Sequence, residues 1–204
     1  DMASATGSAD WQARAAFLTP IAKAHGTDIG CEVAHLGVQV HGGMGYIEEA
    51  GAAQYARDVR ITAIYEGTNG IQAMDLVGRK LADGGEAAFR LIDEVQRGAE
   101  AARASLPDLA GDVWQAAEAL REATEALVAQ PLNDRFAGAV PYLRAFARVL
   151  GGDAHLKAAL ADPERLALAR VMIRRSLPEH GALLAQVREG ADGLYALRPG
   201  DLAA

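Results

Sequence analysis

A single cysteine, Cys31, leaves this chain no internal disulfide, which fits a reducing compartment; a cytoplasmic location is the expectation. Aromatic residues make up only 5% of the sequence, while half of it is hydrophobic and alanine is abundant. That balance favours packed helices over a sheet. No apolar run approaches the roughly 18 residues that a membrane-crossing helix needs, and no signal-like start is present. No basic stripe interrupts a net charge of −7, so nucleic acid and anionic membranes are poor partners. A nucleophile elbow, a P-loop and a Rossmann glycine pattern are all missing. Cys31 and His35 stand four apart on a helix without a second pair of ligands, so no metal site is expected.

What is present is helical periodicity. At 204 residues the chain can bury a real core as one large domain or two small ones. It reads as a piece of something larger. Residues 1–9 read as a loop, with Asp10 capping a long helix from Trp11 to about Val40. The apolar face of that helix takes in Phe17, Ile21, Ile29, Val33, Leu36 and Val40. Gly26, Gly30 and Gly37 each weaken it by roughly 1 kcal/mol relative to alanine, a cost usually offset by close approach of a neighbour. Thr27-Asp28 leaves a kink or a restart open.

A helical stretch from about Glu48 to Asp58 follows, then Ile61-Thr62-Ala63-Ile64 as an extended connection without a partner strand. From Ile71 the apolar residues Met74, Val77 and Leu81 mark the next buried face. After Gly84-Gly85 the pattern is amphipathic helix, breaker, amphipathic helix. Phe89, Ile92, Val95, Ala99 and Ala102 form one stripe. Asp112 with Gln115 resembles a capping box, and Pro131 closes that helix. Val140, Leu143, Phe146 and Leu150 mark another, and Asp162-Pro163-Glu164 is a start signal for a helix carrying Leu166, Ala169 and Ile173. From Gly190 the tail reads as loose. The expected class is all-α: a helical bundle over 1–83 and a second one over 84–204.

Three stretches carry chemistry-bearing residues. Gln39-Val40-His41-Gly42-Gly43-Met44-Gly45-Tyr46 ends the long helix with three glycines in four positions. Arg57-Asp58-Val59-Arg60 reads as a structural ion-pair set, and Arg165, Arg170, Arg174 and Arg175 as a solvated face. Tyr65-Glu66-Gly67-Thr68-Asn69-Gly70-Ile71-Gln72 places a carboxylate on a glycine-broken turn, with Thr68 able to cap the next helix. Alone, Glu66 fits either a general base or a plain helix start, and the glycine turn either a connector or a phosphate cradle.

Together and in this order, these motifs resemble the C-terminal helical domain of flavin-dependent acyl-CoA dehydrogenases, over about residues 11–82. The helices after 84 are similar, more loosely, to the C-terminal extension of a larger bacterial subgroup that includes enzymes for methylthio-propanoyl-CoA. The resemblance implies that Glu66 is the base removing the α-proton of an acyl-CoA thioester while FAD takes hydride from the β-carbon. It implies that Tyr65 and Gly67 flank the thioester, and that Thr68 and Asn69 approach the flavin pyrophosphate. It places Gln39, Gly42 and Gly43 against the adenosine-diphosphate end of FAD held by a neighbouring subunit of a homo-oligomer, dimer or tetramer. Electron-transfer flavoprotein is the implied acceptor. Some members carry the base elsewhere, and Gly70 departs from the glutamine or glutamate often found at its position. The flavin-cradling domain lies upstream in the family, so this chain alone is expected neither to hold FAD tightly nor to turn over. The competing reading is a non-catalytic helical interaction or oligomerisation module.

Overall fold

The computed structural model describes residues 2–202, and among them every regular element is helical. A short helix, α1 (Met2–Thr6), stands where a loop is expected, with the Thr6 hydroxyl donating to the Met2 carbonyl at 2.6 Å. Asp1 lies outside the described residues. Ser8, not Asp10, precedes α2 (Ala9–Val40); Asp10 falls inside the first turn and pairs with Arg90. An acid is equally at home there, because the positive end of the helix dipole extends over that turn. α2 runs unbroken through Thr27-Asp28. The Thr27 hydroxyl donates back to the Lys23 carbonyl at 2.8 Å, which accommodates the residue inside the helix.

Beyond α3 (Gly43–Tyr46), the expected 48–58 helix splits at Gly51 (φ 80°) into a 3₁₀ turn, Glu48–Ala50, and α4 (Ala52–Arg60). Ile61–Ala63 is also a 3₁₀ turn and not the extended connection read from its β-branched residues. With no neighbouring strand, a local turn satisfies the backbone where a lone strand would not. α5 (Asn69–Asp75) continues through a π-helical turn, Leu76–Lys80. Its buried side is Ala73, Leu76, Val77 and Leu81, whereas Ile71 and Met74 face outward.

The second half comprises α6 (Glu86–Ala102), α7 (Pro107–Ala129), α8 (Leu132–Ala137), α9 (Ala139–Ala161), α10 (Leu166–Val171, prolonged by the π turn Met172–Ser176), α11 (Glu179–Arg188) and α12 (Asp192–Ala196). α7 begins at Pro107, whose missing N–H costs nothing at a first helical position. Asp112 is therefore interior, not a cap, and sits 3.1 Å from Arg174. At the start of the α10 segment the sequence signal holds: the Asp162 carboxylate accepts from the Glu164 N–H at 3.0 Å. The tail forms α12, tied down where the Ala191 N–H donates to Asp134 at 2.8 Å.

α9 is the axis of the core. It packs on α2, α5, α6, α7, α10 and α11, and is buried on most of its circumference. Small residues permit that: a Cβ on Gly152 would sit 3.2 Å from Leu177, and one on Gly138 would sit 3.3 Å from the backbone of Val187. Phe17 and Ile21 from α2, Leu76 and Val77 from the α5 π turn, and Tyr142 and Phe146 from α9 belong to one continuous apolar cluster. The segments before and after Gly84 therefore share a core. The buried Tyr142 hydroxyl is matched with Thr124 at 2.9 Å, as a buried polar group must be.

Asp153 is the exception in this core. One carboxylate oxygen bonds Lys157 at 2.6 Å; the other is buried without a partner, facing Gly98 on α6. Burial pushes the carboxyl above its ordinary value of 3.8, with Lys157 opposing it. A raised acid favours the protonated fold, so the ionised form costs stability as pH rises through the folded-state pKa, and nothing below the unfolded value. Asp153→Asn is expected to be the more stable protein at pH 7 by about 1 kcal/mol. That advantage should shrink towards zero below about pH 4, which urea unfolding at the two pH values measures.

Candidate active-site loop

Glu66 is held in the left-handed region (φ 54°), the only non-glycine residue with positive φ among those described, and Gly67 follows at φ 85°. A branchless acid tolerates that conformation only at a cost of about 1 kcal/mol or more. The result is a carboxylate turned outward ahead of α5. It is exposed and has no hydrogen-bond or ion-pair partner among the described residues. Tyr65 is half exposed beside it.

The backbone around it is anchored from two sides. Gln72 Nε2, one turn into α5, donates to the Glu66 carbonyl at 3.1 Å. Lys23 Nζ, from α2, donates to the Gly67 carbonyl at 2.7 Å and to Asn69 Oδ1 at 2.9 Å. Space is tight at Gly67, where a Cβ would meet Gln72 Nε2 at 3.0 Å. Thr68 caps α5 as its sequence position predicts, its hydroxyl accepting from the Ile71 N–H at 3.4 Å.

Asn69 Nδ2 donates to α2, with the Ala24 carbonyl at 3.2 Å, Thr27 Oγ1 at 2.9 Å and Asp28 Oδ1 at 2.7 Å as acceptors. The side chain of Asn69 is thus occupied in joining two helices; only its backbone N–H remains for a ligand. Lys23, Thr27 and Asp28 escaped the sequence reading. The signal that could have found them is their spacing, three polar side chains on adjacent turns of one helix.

The other expected contact set lies at the far end of α2. Gly42 has φ 60° and its N–H donates to the Gln39 carbonyl at 3.1 Å, with Gln39, Gly42 and Gly43 all exposed. Gly45 is buried in the same turn, where a Cβ would come within 2.3 Å of the Val38 carbonyl oxygen. Eleven residues separate Asp28 from Gln39, roughly 16 Å along the helix axis. The two sets are therefore separate surfaces of one chain. Between and around them Val33, Leu36, Val40, Met44, Tyr46 and Tyr55 are exposed, contrary to the buried face expected for the end of α2.

Gly30 is the one glycine of α2 where a Cβ would meet a neighbour, 3.3 Å from Val59; at Gly26 and Gly37 it would face open space. Arg57 pairs with Glu48 at 3.2 Å, but Asp58 and Arg60 form no ion pair among the described residues. Cys31 Sγ points at the Val59 carbonyl and His35 Nδ1 at the Cys31 carbonyl, and no cluster suited to a metal ion occurs among the described residues.

The sequence of this all-helical chain matches two family models. Residues 3–81 match the acyl-CoA dehydrogenase C-terminal domain, and residues 91–198 match the acetyl-CoA dehydrogenase C-terminal-like domain. The chain belongs to the acyl-CoA dehydrogenase family. It is 45% identical over 146 residues to 3-methylmercaptopropionyl-CoA dehydrogenase of Ruegeria pomeroyi, covering 66% of this chain and 24% of that protein. It is 44% identical over 61 residues to butyryl-CoA dehydrogenase of Syntrophomonas wolfei (30% of this chain, 10% of that one). Human mitochondrial short-chain specific acyl-CoA dehydrogenase is 41% identical over 61 residues (30% and 15%). The chain thus spans about a quarter, or less, of the length of these relatives.

Proposed function

We propose that this chain supplies the proton-abstracting base and part of the cofactor surface of an acyl-CoA dehydrogenase. The observation that carries the reading is the Glu66 carboxylate, unpaired and outward on a backbone conformation that a mere connector has no need of. Glu66 takes the α-proton of an acyl-CoA thioester, flanked by Tyr65 and Gly67. FAD, when bound, supplies the hydride acceptor.

The residues present suit such a group. The Asn69 and Gly70 N–H groups lack helical partners, the Thr68 hydroxyl is exposed beside them, and Gly70 has no side chain to block approach. Gln39, Gly42 and Gly43 offer a second polar surface, roughly 16 Å away along α2. That separation supports their serving the FAD of a neighbouring subunit in a homo-oligomer. The exposed apolar residues around them are the kind that assembly covers. Electron-transfer flavoprotein is the proposed acceptor. Anaerobic mixing of the intact flavoprotein with acyl-CoA tests the reading: flavin bleaching is expected in the parent and not in Glu66→Gln.

Because the carboxylate and its neighbours are open to solvent here, the 204-residue chain by itself is expected to purify without flavin. Flavin absorbance at one equivalent per chain, after gel filtration, would contradict this.

A further inference from the structure

Left to itself, a glutamate relaxes from positive φ to the extended or right-handed helical region, and its carboxylate moves with it. Something must hold the Glu66 loop. Gln72 holds the Glu66 carbonyl from the first turn of α5, the helix that follows it. The Gly67 carbonyl is held from outside, by Lys23 of α2, at 2.7 Å.

We propose that Lys23 is a positioning residue for Glu66, and that the C-terminal half reaches the same loop through Arg144. This rests on Glu66 being the base. Lys23 is well placed for the task because its ammonium donates to two groups at once, the Gly67 carbonyl and Asn69 Oδ1, on either side of Thr68. It projects from a helix of 32 residues, a rigid mount. One turn further, Thr27 and Asp28 grip the amide of the same Asn69. The remaining oxygen of Asp28 accepts from Arg144 Nη2, on α9, at 3.1 Å.

A continuous chain of polar contacts thus runs from α9 through Asp28, Asn69 and Lys23 to the turn that carries the carboxylate. Both ends of the Arg144–Asp28 pair are partly solvated, so that link is the weaker one. Lys23 acts on the backbone geometry, not on the substrate.

Two readouts test this, in variants of the intact flavoprotein and in the flavin-free chain. In Lys23→Met the rate of flavin reduction per bound flavin should fall about tenfold to a hundredfold, with acyl-CoA affinity within about twofold of the parent. Lys23→Arg should recover part of the loss, and Arg144→Met should lose only about two- to threefold. The Ile71 and Gln72 amides of the flavin-free chain, which donate to Thr68, should exchange with deuterium faster in Lys23→Met at unchanged melting temperature. A merely structural lysine would move the melting temperature and leave the rate per bound flavin alone.

A parent-like reduction rate in Lys23→Met, where Glu66→Gln abolishes reduction, overturns the proposal. If Glu66→Gln reduces its flavin normally, the base assignment has failed instead. Parent-like exchange at the Ile71 and Gln72 amides is then what overturns the anchoring.

Discussion

Glu66→Gln, introduced into the intact flavoprotein, is expected to slow flavin reduction by acyl-CoA about 10²- to 10⁴-fold while bound flavin stays at the parent level. Glutamine keeps the size and the backbone preferences of the residue but cannot accept the α-proton. The fold should not notice. The carboxylate has no partner among the described residues, and exposed substitutions of this kind change stability by about 0.5 kcal/mol or less. An interaction module without catalysis of its own predicts unchanged activity in the same assay, so the two readings separate cleanly. On this chain Glu66 is exposed, whereas a carboxylate strong enough to abstract such a proton needs a dry setting. Under the proposed function, desolvation comes from what would cover the loop, flavin and acyl chain among them.

Phe146→Ala is expected to cost about 3–5 kcal/mol, the usual range for deleting a fully buried ring. Phe146 has no exposed surface, its ring lies 5.0 Å from that of Phe17 and 5.9 Å from that of Tyr142, and such tilted and edge-on pairs add to simple burial. Phe17 belongs to α2 and the other two to α9, so this aromatic trio ties the region around Glu66 to the C-terminal half. One cooperative transition should result. Single-tryptophan variants retaining Trp11 (α2) or Trp114 (α7) should report the same urea midpoint, lowered together by Phe146→Ala. Two distinct midpoints in the parent would mean that the shared core does not couple the halves.

Much of this was legible in the sequence where the physics is local. Thr68 as a cap, Pro131 as a stop, the Gly84-Gly85 break and the Asp162-Pro163-Glu164 start depend on a few adjacent residues, and they stand as read. Most of the buried stripe of α6 was equally plain: Ile92, Val95, Ala99 and Ala102 are buried as read, while Phe89 is only partly so and Ala88 and Leu91 join them. Failures arose where distant partners decide. Val33, Leu36 and Val40 have core-like spacing, but periodicity does not say what covers a face, and here nothing within the described chain does. Ile71 and Met74 lost their place to Ala73 and Leu76 because the approach of α2 and α9 selects the side of α5 that is buried. Asp112 and Gln115 satisfy a capping pattern equally well from inside a helix. The anchor of the Glu66 loop stayed hidden because Lys23, Thr27 and Asp28 lie more than forty residues from their partners, as the separations of 44 and 46 for Lys23 illustrate.

Solvent exchange at the substrate tests the central claim most directly, since it follows the proton itself. Acyl-CoA incubated with the intact flavoprotein in D₂O should gain deuterium at its α-carbon with the parent, and should not with Glu66→Gln at equal flavin occupancy. Exchange at the parent rate in Glu66→Gln would mean that another group abstracts the proton, and the account would be wrong.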